Sequence, residues 1–314
     1  MKILVTGGCG YIGTILTNEL LEKDHKVTVV DIMWFGNHLN SHKDLSIIQA
    51  DIRDIEKIPM DGIDTIIHLA NIANDPTSEL NSKLTWEVNV LASKFLIEKA
   101  IEHGATQFIY ASSGSVYGIK DEPHVTEDLP LLPISDYNKS KMISERVLNS
   151  YKDEITLQII RPATVCGYSL RMRLDLSVSM LTMQALAKGK ITVFGGQQTR
   201  PNIHMNDMVG VYLHFLKLGT KVSGVYNAGF ENISILEIAH KVVEHVPAEI
   251  ELTRLNDPRS YRQNSDKLFG TGFTKKYGVK DGIKDVIEAY NLGKLKDEDR
   301  YYNIRAMKEL ESIS

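Results

Sequence analysis

The sequence predicts an α/β protein: a doubly wound parallel sheet followed by a smaller C-terminal α/β lobe. Three observations carry that prediction. The chain of 314 residues opens on an apolar run that ends in regularly spaced glycines. Short apolar runs then alternate with amphipathic, helix-length segments through the first half. After Arg161 the segments shorten, and loops carry Gly195-Gly196, Arg200-Pro201 and Asp257-Pro258-Arg259.

The elements follow in order. Lys2-Ile3-Leu4-Val5 is apolar at consecutive positions, as a strand buried on both faces of a parallel sheet must be. Ile12, Ile15, Leu16 and Leu20 recur at helical spacing, so a helix with one apolar face comes next. The tight turn between them needs residues without a Cβ, and Gly7, Gly10 and Gly13 supply them as G-x-x-G-x-x-G, with Tyr11 and Ile12 enclosed. Such a turn lets a pyrophosphate approach the N–H groups at a helix N-terminus. A second strand, Lys26 to Val30, ends in Asp31. A carboxylate there meets the adenosine ribose hydroxyls and repels a 2′-phosphate, which favours NAD(H) over NADP(H). Leu45 to Ala50, Thr65 to Ala70, Gln107 to Ala111 and Thr156 to Ile160 are the third to sixth strands. A long helix is predicted from Trp86 to His103 and another from about Tyr137, completing a Rossmann arrangement.

Beyond it, Leu176 to Lys188, Asp207 to Leu218, Ser234 to Val246 and Asp281 to Tyr290 read as helices. Ile191 to Phe194, Val225 to Asn227 and Ile250 to Leu252 read as strands. The expected division is a dinucleotide-binding domain over 1–165 and a substrate lobe over 166–314, with the chain crossing between them. The charged tail from Lys294 onward is expected to form a surface helix.

A net charge of −4 without a Lys/Arg block argues against a nucleic-acid partner. No apolar stretch is long enough to span a membrane and no signal-peptide pattern is present, so a cytoplasmic protein is expected. Cys9 and Cys166 lie far apart, and neither a disulfide framework nor a metal site is predicted.

Chemistry is suggested by two clusters. Tyr137 and Lys141 stand at i and i+4, on one helix face. Tyrosine ordinarily titrates at about pH 10, and a neighbouring ammonium stabilises its phenolate. Ser113, with Ser115 nearby, lies just past the fifth strand, where a hydroxyl can share a substrate proton with the tyrosine. Together with the NAD(H) site, these groups suit removal of a hydride from a carbon bearing a hydroxyl.

The chain resembles the extended short-chain dehydrogenases/reductases of the nucleotide-sugar epimerase/dehydratase group. The resemblance is carried, in family order, by Thr6 to Gly13, Asp31, Asp51-Ile52, His68-Leu69-Ala70, Asn89, Ser112 to Gly118, Tyr137 with Lys141, and Arg161-Pro162. It implies NAD on the N-terminal sheet and a nucleoside-diphosphate sugar in the C-terminal lobe. It also implies a homodimer that pairs the Trp86 to His103 helix with the one after Tyr137, through residues such as Leu91, Phe95, Ile143 and Val147. By this resemblance Asp51 and Ile52 contact adenine, Leu69 and Ala70 line the cofactor channel, Asn89 and Pro162 are further cofactor contacts, and Lys141 also holds the nicotinamide ribose. Thr164 stands where family epimerases carry a diphosphate-binding asparagine. Arg200 matches an arginine that reaches the nucleotide sugar, and Arg259 lies where another phosphate-binding arginine is expected. Arg173 falls in Arg171-Met172-Arg173-Leu174-Asp175-Leu176, similar to a bacterial branch that includes GDP-heptose 4-dehydrogenases, and is taken as substrate-binding. Family 4,6-dehydratases place an Asp-Glu pair where Gly114 and Ser115 stand. That departure points away from dehydration and leaves oxidation at C4, most simply in a 4-epimerase. A net 4-dehydrogenase or 4-ketoreductase is the alternative, and a non-catalytic NAD sensor a third reading.

Overall fold

Consecutive apolar residues bury both faces of a strand, and in β1 (Lys2–Thr6) Ile3, Leu4 and Val5 are fully buried. The computed structural model describes residues 1–254 and 260–313. After β1 come α1 (Tyr11–Glu22), β2 (Lys26–Asp31), β3 (Leu45–Gln49) and β4 (Thr65–His68). Three helices follow, α2 (Asp75–Ser78), α3 (Ser82–Trp86) and α4 (Ser93–Glu102), then β5 (Gln107–Ala111), α5 (Asp136–Asn149) and β6 (Thr156–Pro162). All neighbouring strands of the main sheet run parallel, in the order β3-β2-β1-β4-β5-β6. The winding reverses between β1 and β4, which opens a crevice beyond the strands' C-terminal ends.

The second half holds β7 (Thr164–Cys166), α6 (Ser177–Lys188), β8 (Lys190–Phe194), β9 (Thr199–His204) and α7 (Met205–Leu218). It continues through β10 (Gly224–Ala228), β11 (Glu231–Ser234), α8 (Ile235–Val243), β12 (Glu249–Thr253), α9 (Asp266–Phe269), α10 (Val279–Asn291) and α11 (Asn303–Ile313). β10 pairs in parallel with β6 as the seventh strand of the main sheet, and α7 packs on α1. The chain thus returns to the first sheet after leaving it. The remaining strands form two small sheets, β11-β9-β7 and β12-β8. Among the described residues no helix is long and apolar enough to cross a membrane.

Three expectations need correction. The helix predicted from Trp86 to His103 starts earlier, at Ser82, and is interrupted by a π-helical stretch, Glu87–Ala92. Within that stretch the Asn89 carbonyl accepts the hydroxyls of Ser93 at 2.7 Å and Ser144 at 2.6 Å, tying the helix to α5. β9 was read as loop because it contains Pro201, which cannot donate to a ladder. The tail from Lys294 onward is more than a surface helix. Leu295, Tyr301, Asn303 and Met307 are buried, and α11 returns to pack on α2, with Met307 joining the core beneath β4 and β5.

A buried ion pair fixes α5 against the strand ends. Arg161, at the end of β6, donates through Nε at 3.0 Å and Nη2 at 2.7 Å to the two oxygens of Glu145 on α5. Its Nη1 donates to the Tyr117 hydroxyl at 2.7 Å, which donates in turn to Asn227 Oδ1 at 2.8 Å. Ser112 donates to the same Glu145 carboxylate. Both charged side chains are 5% exposed, so each is satisfied by the other, by these hydroxyls and, for Arg161, by the Glu127 carbonyl at 3.3 Å. Removing one partner strands the other charge in the core. Arg161→Met is therefore expected to lower stability by about 3–5 kcal/mol, and Arg161→Met/Glu145→Met to recover much of it. Urea unfolding at neutral pH measures both; equal loss in the single and double variants would contradict the pairing.

Candidate active site

The glycine turn fits only glycine at two points. Gly7 has φ +73°, and a Cβ on it would lie 2.6 Å from the Ala70 nitrogen. A Cβ on Gly13 would lie 2.3 Å from the Gly7 carbonyl oxygen. This close packing sets α1 directly beyond β1. The helix carries no side-chain cap and no acidic residue in its first turn, so its N–H groups face the crevice unopposed. Asp31 closes the neighbouring strand: one carboxylate oxygen accepts the Cys9 N–H at 3.0 Å and the other the Met33 N–H at 2.7 Å. Burial raises its pKa, against the pull of those two bonds and of the Arg171 guanidinium. Burial and Asp31 together push the Cys9 thiol up to about 12, so it stays protonated.

One cavity runs over the ends of β1 to β6. The turn residues Gly7, Gly10, Tyr11, Ile12 and Gly13 line it, and Asp31, Asp51 and Ile52 line it beside them. Asp51 is already gripped by Arg53, with Nε at 3.1 Å and Nη2 at 2.8 Å. Leu69, Ala70 and Pro162 line the middle. Ser113, Ser115, Tyr137, Thr164, Arg173 and Arg200 line the same space. The groups chosen from sequence for cofactor, chemistry and substrate are thus brought together. An unfilled turn with open N–H groups beside a strand-end carboxylate fits a dinucleotide, with Gly7 to Gly13 facing its phosphates and Asp31 its ribose.

Two chosen residues do not line the cavity, and one lies outside the description. Asn89 is 1% exposed and acts behind the wall. Its side chain accepts the Ile72 N–H at 2.8 Å and donates to Ser140 Oγ at 2.9 Å, so it positions the segment after β4 against α5 instead of touching a ligand. Lys141 is also 1% exposed. Its ammonium donates to the Ala111 carbonyl at 2.7 Å and to the Tyr110 hydroxyl at 3.4 Å, and sits 4.8 Å from the centre of the Tyr110 ring. Arg259 lies outside the described residues.

The hydroxyl groups form a chain. Ser113 and Ser115 are 2.7 Å apart, and Ser115 donates to Asn138 on α5. Burial pushes Tyr137 up to about 12, while a hydrogen bond from Ser113 and the charge of Arg173 pull it back down. Arg173 is thus a cation acting on Tyr137 that the sequence reading did not assign to it. Arg173 is set by a two-pronged bond to Asp175, at 3.0 and 2.8 Å, and Asp175 also accepts from Asn74 at 2.8 Å. Asn74 is held at φ +72°, a region a non-glycine residue occupies only when its surroundings enforce it. Asn74, Asp75, Arg171, Tyr212 and Asn303 also line the cavity and were not chosen from sequence. Asn74-Asp75-Pro76 carried the one usable signal, a helix-capping asparagine before an N-terminal proline.

Gly114 is tightly packed: a Cβ there would meet the Gln263 amide and the Pro162 carbonyl oxygen, each at 3.2 Å, and these neighbours would have to give by a few tenths of an ångström. His68 and His204 act as structural residues. His68 bridges Thr6 at 2.6 Å and Ser93 at 2.8 Å, with its pKa pushed down to about 3 by burial and Lys141. His204 contacts Asp285 at 3.0 Å and stacks on Tyr277. Among the described residues no group of three or more His, Cys, Asp or Glu could hold a metal ion.

Residues 3–229 match the NAD dependent epimerase/dehydratase family. The chain belongs to that family. It is 29% identical over 295 residues to a UDP-glucose 4-epimerase of Lactobacillus helveticus, covering 85% of this chain and 89% of the relative. A UDP-glucose 4-epimerase of Thermotoga maritima, solved with UDP-glucose, superposes with a TM-score of 0.82 at 25% identity, covering 93% of this chain and 99% of that one. A UDP-glucuronic acid 4-epimerase of Bacillus cereus, solved with NAD and a fluorinated substrate analogue, gives 0.81 at 26% identity, covering 92% and 100%. The family is NAD-dependent, and solved structures similar to this chain contain NAD.

The buried lysine gives a pH test. Burial lowers the Lys141 pKa from 10.5 to about 7, against the pull of Glu145. Folded chain then binds fewer protons than unfolded chain between those values, so the charged lysine weakens the fold below about pH 7 and the loss fades as pH rises toward the ordinary lysine value. Lys141→Met is expected to melt higher than the parent protein at about pH 6, with the gap shrinking toward about pH 10. A gap independent of pH would show that the lysine is not held as a costly buried cation.

Proposed function

We propose that this protein is an NAD-dependent 4-epimerase of a nucleoside-diphosphate sugar. The observation that carries the reading is the placing of Tyr137, Ser113 and Ser115 in one cavity with the glycine turn and three arginines, where a tightly packed Gly114 and Ser115 supply no carboxyl group. The relatives named as UDP-glucose 4-epimerases support it. Bound along the glycine turn, NAD would accept a hydride from C4 of the sugar and return it. The protein's task is the proton. Tyr137 takes it from the C4 hydroxyl and gives it back, Ser113 holds that hydroxyl, and the Arg173 charge offsets part of the burial that disfavours the phenolate. Lys141 acts as a positioning residue by holding the end of β5. Arg173 and Arg200 face the diphosphate, a task suited to planar guanidinium groups. We place the enzyme in the cytoplasm, as a homodimer joined through α4 and α5.

Incubation with UDP- and GDP-linked hexoses, read by NMR of the sugar, tests the activity. The expected product is inverted at C4, with no net NADH. Accumulating NADH would move the reading to a net 4-dehydrogenase, and loss of water would move it to a dehydratase. Tyr137→Phe is expected to lower kcat by roughly 10²–10⁴-fold while NAD stays bound. Wild-type turnover in that variant would remove Tyr137 from the chemistry.

The dimer has its own test. Leu91 is 49% exposed and Phe95 45%, adjacent turns of one helical face. Leu91→Glu/Phe95→Glu is expected to convert a dimer to monomer in light scattering at micromolar concentration. A parent protein that is already monomeric would refute the proposal.

A further inference from the structure

Among the described residues three guanidinium groups and no lysine line the cavity, and all three come from beyond residue 165: Arg171, Arg173 and Arg200. The N-terminal half gives it open N–H groups and carboxylates but no cation. Arg173 is closed by Asp175. Arg200 lies on β9, where it donates to the Thr199 carbonyl at 3.3 Å. Arg171 differs. It is 4% exposed, and among the described residues no carboxylate pairs with it. Its Nη1 donates to the Met172 carbonyl at 2.9 Å and its Nη2 to Asn303 Oδ1 at 2.5 Å, while its plane lies 3.9 Å from the centre of the Phe35 ring. Buried charge of this kind is strongly unfavourable unless an opposite charge joins it. Burial and the nearby Arg173 push the guanidinium down to about 9, and Asp175, Asp31 and Tyr11 act on it only from a distance.

Those distant partners locate it. Tyr11 is the first residue of α1, and Asp31 accepts the Cys9 N–H of the glycine turn. Arg171 lines the cavity together with Gly10, Tyr11, Asp31 and Phe35, on the side of the turn whose N–H groups await phosphate. We propose that Arg171 binds the pyrophosphate of the dinucleotide, supplying from the C-terminal half the positive charge that the glycine turn lacks. This inference rests on the NAD reading of the cavity. Two N–H groups of a guanidinium match two phosphate oxygens, and stacking on Phe35 together with the Asn303 bond fixes the plane in advance. Asn303 opens α11 and Met307, one turn on, lines the same cavity, so cofactor binding and docking of that helix favour each other.

The test is calorimetry of the full chain, freed of nucleotide, with NAD, ADP and adenosine as titrants. Arg171→Met keeps the packing on Phe35 and removes the charge. It is expected to weaken NAD and ADP roughly 10- to 100-fold, the worth of a charge-assisted hydrogen bond, and adenosine by less than about twofold. Arg171→Lys, which keeps charge without the fork, should fall between. Unchanged NAD affinity, or equal loss for adenosine, overturns the proposal. Weakening of UDP with NAD unchanged also overturns it, because it gives Arg171 to the substrate's diphosphate. If Arg171→Met does not fold, Asn303→Ala replaces it: ADP should weaken about 3- to 10-fold with adenosine unchanged, and no change in ADP overturns the proposal. A parent protein that binds neither NAD nor ADP would instead refute the cofactor reading itself.

Discussion

One carboxylate sets the register of the site. Glu145 lies two turns beyond Tyr137 and one beyond Lys141 on α5, accepts both prongs of Arg161 from the end of β6, and accepts Ser112 from the end of β5. A helix packed on a sheet by apolar contacts alone can slide and rotate at little cost. A buried ion pair at one point removes that freedom, because any displacement leaves a charge unpaired. The hydroxyl chain Tyr137, Ser113, Ser115 and Asn138 spans the same two pieces of structure. Its distances hold only while α5 keeps its place above the strand ends.

Much of the first sheet was readable in the sequence because a doubly covered strand must be apolar at consecutive positions. Ile3 to Val5 and Phe108 to Tyr110 admit few other readings. The glycine turn was readable for a steric reason, since a Cβ at Gly7 or Gly13 collides with backbone. What failed to show depends on partners distant in the chain. The π-helical stretch is set by Ser144, far along the sequence from Asn89. The direction of Lys141 is set by a free carbonyl at Ala111, not by its spacing from Tyr137. Arg171 and Asn303 are separated by more than a hundred positions and meet only in the fold. Polar residues whose burial is earned by a remote partner carry no local pattern, and these make up most of what was missed.

Charge is divided between the two halves in a way that suits a pair of ligands. The first half of the chain contributes Asp31, Asp51 and Asp75 to the cavity, and the later chain contributes Arg171, Arg173 and Arg200. Neither half by itself lines the whole cavity, and the return of β10 and α11 to the first sheet keeps the two halves in fixed relation.

The crowding at Gly114 bears on what this scaffold can become. Gln263 is itself committed, donating to the Arg161 carbonyl at 2.7 Å and to Asn227 at 2.9 Å, so it cannot step aside for a longer neighbour. An acid placed at 114 would press on Gln263, and shrinking Gln263 would release the backbone of Arg161. A carboxyl pair at 114 and 115 therefore requires an adjustment at Gln263 as well, a side chain that does not line the cavity.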